Sequence, residues 1–107
     1  MQRLLLTMLC ILLPMVCVAG EEDIGKKADT YFDEGYQSYF KNDLDGAILK
    51  FSKAIELNPT RSNYHLFLGK AFQKKGIMPK AIDELNFAVE IEPDLTEAHV
   101  KLGECLY

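Results

Sequence analysis

Residues 44–59, LDGAILKFSKAIELNP, return thirty-four positions later as residues 78–93, MPKAIDELNFAVEIEP. Ala47 and Ala81, Ile48 and Ile82, Ala54 and Ala88, Glu56 and Glu90, and Pro59 and Pro93 are identical pairs. Phe51 with Leu85, Ile55 with Val89 and Leu57 with Ile91 keep an apolar side chain of different shape. Upstream, the same offset links Gly35, Gly69 and Gly103. A fixed period in this range marks a stack of supersecondary units, each with an apolar face that only its neighbour can cover. Within the first copy Leu44, Ala47, Ile48, Phe51, Ala54 and Ile55 recur at the helical period, and the second copy follows suit. Asn58-Pro59 and Glu92-Pro93 end these helices, because a residue before proline is pushed out of helical geometry.

Working outward, residues 28–41 carry two adjacent apolar stripes. Tyr31, Gly35 and Ser38 share one face, and Phe32, Tyr36, Tyr39 and Phe40 share the next. Asn42 and Asp43 make a turn and offer a cap for the following helix. Thr60 or Ser62 is the expected cap of a helix holding Tyr64, His65, Leu68, Gly69 and Phe72, which Gly76 breaks. Pro79 suits the first turn of the next helix, where its missing N–H leaves nothing unpaired. Asp94 or Thr96 then opens a fifth helix with Ala98, Leu102, Gly103 and Leu106. No alternating run of β-branched residues bounded by turns supports a strand. The expectation is an all-α chain of antiparallel helix–turn–helix units, in which Gly35 faces Ala47 and Gly69 faces Ala81 at close crossings.

The small residues, the large apolar residue and the closing proline at these places resemble the tetratricopeptide repeat. The resemblance covers about Ala28 to Tyr107, as repeats at 28–61 and 62–95 and a partial one at 96–107. It implies a short right-handed α-solenoid that binds a protein or peptide in its concave groove. Tyr31, His65 and His99 depart from the family's usual aromatic, Glu34 from a usual Leu, and Ser38 from a usual aromatic. By the resemblance the groove presents Asp29, Phe32, Asp33, Tyr36, Tyr39 and Phe40 from the first repeat. The second repeat adds Asn63, Leu66, Phe67, Lys70, Gln73 and Lys74, and the third adds Glu97, Val100, Lys101 and Glu104. Members that grip the C-terminal carboxylate of cytosolic heat-shock chaperones use Lys, Asn and Arg. Phe32, Tyr36, Phe67, Glu97 and Lys101 stand at those places, so that clamp is essentially missing.

The two stripes on the first helix pose a question. Burial against the second helix accounts for one of them, so either a partner or the preceding segment covers Phe32, Tyr36, Tyr39 and Phe40.

Residues 1–20, MQRLLLTMLCILLPMVCVAG, have a positive start at Arg3, an apolar run from Leu4 to Val18 and a small-residue end. That is the build of a cleaved export signal. The rival is a retained anchor, which at seventeen residues from Leu4 to Gly20, with Pro14 inside it, sits at the bottom of the range for a spanning helix. A membrane partner is expected only if this segment stays. The remaining chain, 21–107, forms one domain, and removing Arg3 with the leader moves the net charge from -4 to -5. An acidic body without a Lys/Arg cluster argues against nucleic acid.

Catalytic chemistry finds no support. Dinucleotide and phosphate-loop signatures are absent, and no Ser or Cys stands in a nucleophile context. His65 and His99, thirty-four residues apart, have no Cys, Asp or Glu at ligand spacing. They read as fillers of interlayer slots rather than metal ligands. Neither a cofactor nor a small-molecule substrate is expected. Cys105, alone after the leader, reads as an unpaired thiol, with an intermolecular disulfide as the alternative. The expected role is a non-catalytic, exported binding module, or else a weakly self-associating or tethered scaffold subunit.

Overall fold

The computed structural model describes residues 24–106, so the expected leader at 1–20 lies outside the described residues. Among the described residues five helices follow one another: α1 over residues 24–40, α2 Leu44–Leu57, α3 Ser62–Lys75, α4 Met78–Ile91 and α5 Thr96–Leu106. No strand occurs among the described residues. Consecutive helices from α2 to α5 pack on one another, α1 packs on α2 where Gly35 meets Phe51, and α3 also touches α5, the contact expected of stacked pairs. The turns fall at Asn42, Pro59, Gly76 and Pro93, as the sequence predicts.

The repeat extends to individual backbone bonds. Asn42 and Gly76, thirty-four residues apart, both have positive φ, 66° and 88°. At each, the next residue's N–H reaches back across the helix end: Asp43 to the Ser38 carbonyl, Ile77 to the Phe72 carbonyl, both at 2.9 Å. That geometry satisfies the last carbonyls of α1 and α3, and it needs a residue that tolerates left-handed backbone. Asp43 then caps α2 by accepting the Gly46 N–H at 3.1 Å.

The cap expected of Thr60 or Ser62 does not form. Arg61 precedes α3 without a side-chain bond to the helix. The Thr60 hydroxyl donates instead to Asn58 Oδ1 at 3.0 Å, and the Ser62 hydroxyl to Glu92 Oε1 at 3.1 Å. Ser62 therefore ties the start of α3 to the end of α4, which satisfies its hydroxyl elsewhere.

Packing inside each repeat also corrects one expectation. A Cβ on Gly35 would stand 2.8 Å from the Phe51 ring, and one on Gly69 would stand 2.8 Å from Leu85 Cγ. The glycines make room for the large residue of the second helix, four positions beyond the small alanine. Ala81 comes next at the crossing of α3 and α4, its carbonyl 3.3 Å from the same point on Gly69. Phe51, Leu85, Ala47, Ala54, Ala81 and Ala88 are fully buried, so small and large residues interlock across the layers.

Candidate peptide groove

The first helix of each repeat, α1, α3 and α5, supplies the candidate residues. Phe67 of α3 is their hub. Its ring centroid lies 5.5 Å from Phe32, 5.3 Å from Tyr36, 6.1 Å from Tyr39 and 5.9 Å from Phe51. Phe32 further stacks on Tyr64 at 5.0 Å. The second stripe of α1 is thus covered in part by the next repeat, an outcome absent from the two expected ones. Helix α1 buries one stripe against α2 and half of the other against α3.

What remains open is a lip. Tyr39 is only 7% exposed and forms its floor, whereas Tyr36 is 42% exposed and Phe40 63%. Tyr36 and Phe40, one helical turn apart, touch at 4.7 Å between centroids. An open cavity of about 440 Å³ lies beside them, lined also by Gln37 and Lys41.

Cations sit over the floor. Lys74 Nζ stands 4.6 Å from the Tyr39 centroid, and Lys70 Nζ stands 4.5 Å from that of Phe67. Lys70 also donates to Glu97 at 2.6 Å, which joins α3 to α5. Glu104 accepts from Gln73 and Lys101, each at 3.1 Å, and these bonds hold its carboxyl below the usual range. At the other end of α1, Asp29 accepts a hydrogen bond from the Tyr64 hydroxyl. Burial foremost, and then this carboxylate, pushes the Tyr64 hydroxyl above its ordinary pKa.

The expected groove residues therefore divide. Asp29, Asp33, Tyr36, Phe40, Asn63, Lys74, Glu97 and Val100 are exposed, and Phe32, Phe67, Lys70, Gln73 and Lys101 are half-buried. Leu66, at 2% exposure, packs on Leu85, Ala88 and Ala98 and belongs to the core between α3, α4 and α5. Tyr39 likewise joins the core of Phe51, Leu68 and Phe72. A residue on the groove side of α3 is buried when the following repeat closes over it. Gln37 and Lys41 lie at the lip without having been expected there; both are polar residues on a face that the apolar pattern does not mark.

His65 fills its slot as expected and is 7% exposed, bonded through both ring nitrogens. Cys105 turns inward and packs on both neighbouring cores, and burial foremost raises its thiol pKa.

Residues 28–76 match the family model described as TPR repeat. The chain is 34% identical over 88 residues to small glutamine-rich tetratricopeptide repeat-containing protein 2 of Mycosarcoma maydis. That match covers 82% of this chain and 25% of the relative, so the chain spans about a quarter of its length. Among solved structures, MamA is similar with a TM-score of 0.72 and 31% identity, over 76% of this chain and 44% of that one. The first TPR of Spaghetti (RPAP3), bound to the HSP90 peptide SRMEEVD, has a TM-score of 0.74 and 20% identity. It covers 76% of this chain and 64% of that one, and shows the shared fold. The fold is that of a tetratricopeptide-repeat solenoid. The particular stretch 28–76 carries the repeat signature itself.

Proposed function

We propose that the chain is a non-catalytic module that holds a peptide or protein segment against the lip formed by Tyr36 and Phe40. One observation carries this reading. These two rings stay exposed on top of aromatic residues that are otherwise packed away, with the exposed Lys41 beside them and Lys74 over Tyr39 in the floor. Exposed aromatics over a rigid floor are the usual anchors of binding energy. Glu97 and Lys101 stand where a carboxylate-gripping groove uses Lys, Asn and Arg, and each already has a partner of opposite charge. The groove thus favours an apolar residue in the segment over a terminal carboxylate. Export through the leader at 1–20 places the module in a periplasmic or secretory space, and the mass of the mature N-terminus tests that part.

Selection of a displayed random-peptide library on residues 21–107 tests the binding reading. Enriched peptides with a shared aromatic or large aliphatic residue, whose addition shifts the Tyr36 and Phe40 signals in NMR spectra, support it. Absence of enrichment, or shifts confined to α2 and α4, contradicts it.

A second reading has its own observation. A Cβ on Gly103 would meet nothing within 4 Å, although Gly35 and Gly69 are both filled, and Leu106 is 65% exposed. Self-association through this face of α5 follows if the monomer–dimer balance by sedimentation shifts on Leu106→Lys.

A further inference from the structure

His65 and His99 occupy equivalent places, and each ring holds the carbonyl of the proline six residues before it. His65 Nε2 lies 2.9 Å from the Pro59 oxygen, and His99 Nε2 lies 2.7 Å from the Pro93 oxygen. Among the described residues only His65 has a second partner, Glu84 Oε2, at 2.8 Å from Nδ1. A carbonyl and a carboxylate both accept and neither donates. Satisfying both contacts therefore requires a proton on each ring nitrogen, which is the imidazolium.

We propose that His65 is a proton-dependent clasp at the joint between the two repeats: doubly protonated, it ties the α2–α3 turn to α4, and loss of one proton releases the turn. The carboxylate is the stronger acceptor, so the remaining proton stays on Nδ1 toward Glu84. The bare Nε2 lone pair then faces the Pro59 oxygen, and that tie is lost. From α4 the ring meets Glu84 and the Phe87 ring, tilted by 40° at 5.6 Å between centroids, a contact that favours a cation. From the turn it meets the Pro59 carbonyl; Arg61 of that turn acts on Tyr64 instead. Glu84 is the charged group bonded to the ring. In the first repeat the places of His65 and Phe87 hold Tyr31 and Lys53, with Nζ 5.5 Å from the ring centroid. A cation against a ring recurs there with the partners exchanged, and Lys53 keeps its charge where a histidine would lose it.

The hydrogen bond to Glu84, foremost, raises the His65 pKa above 6.5 and outweighs burial, which lowers it. The clasp thus adds its full stability below the unfolded value and loses it as pH rises through the higher folded value. Each unit of that elevation is worth about a tenfold change in the unfolding constant.

Urea unfolding of residues 21–107 at about pH 6 and about pH 9, on either side of the ordinary histidine pKa, tests the clasp. The variants are Glu84→Gln and His99→Gln. Glutamine offers both an acceptor and a donor, so E84Q keeps a bond to Nδ1 in either protonation state. The expected result is a fall in stability with pH that shrinks in E84Q and persists in H99Q. Equal slopes for the native chain and E84Q overturn the proposal. Nitrogen-15 NMR of the native chain gives a readout that does not depend on variant folding, with H99Q assigning the two rings. Protons on both His65 nitrogens at about pH 6 are expected, and a bare one at that pH overturns the clasp.

Discussion

The Phe67 ring meets Phe32 edge-on, with centroids 5.5 Å apart and planes at 84°. This contact joins the first helices of consecutive repeats, and it separates aromatic residues that stabilise the stack from those left free to bind. Replacing Phe32 by Ala removes a half-buried ring that also stacks on Tyr64 and is expected to destabilise by about 3 kcal/mol. Urea titration measures the loss. A change within about 0.5 kcal/mol, the usual range for a surface site, means that α3 does not close over this stripe.

Two glycines at equivalent places respond oppositely to the same change. Gly69→Ala drives a methyl to within 2.8 Å of Leu85 and is expected to destabilise by about 1–3 kcal/mol through overpacking. Gly103→Ala meets nothing, and the better helix former is expected to stabilise by about 0.5–1 kcal/mol. Melting curves of both variants check the pair. Equal effects contradict the helix pairing.

The left-handed residues make a similar pair. Gly76→Ala places a Cβ in backbone that disfavours it, with an expected loss of about 1 kcal/mol. At the equivalent turn Asn42→Gly relieves that conflict but frees the unfolded chain, so a net change below about 1 kcal/mol is expected. Thermal unfolding distinguishes the two.

Cys105 is expected to react with a disulfide reagent at neutral pH several-fold more slowly than a free thiol, about the effect of a suppressed thiolate. Urea should remove the difference. Fast reaction in the folded protein contradicts the inward packing of this side chain.

Much of this fold is legible because the repeat is written in backbone-forcing residues. Pro59, Pro93, Gly76 and Asn42 act locally, so their turns follow from sequence without knowledge of packing. The α3 cap does not, since Ser62 prefers a long-range bond to Glu92 that no local pattern announces. The groove is legible only in part for a related reason. Spacing places Phe32, Tyr39 and Leu66 on a helix face correctly, but which face the next repeat covers depends on how far the stack turns. Tyr39 and Leu66 are buried by that turn, while Tyr36 and Phe40, from the same stripe, escape it.

The affinity of the double variant Tyr36→Ala, Phe40→Ala for a peptide selected on the native chain tests the central claim most directly, with its melting temperature measured in parallel. The account predicts binding weakened by about 2 kcal/mol, roughly thirtyfold, with the melting temperature nearly unchanged. Unchanged affinity, or a large fall in melting temperature, would contradict it.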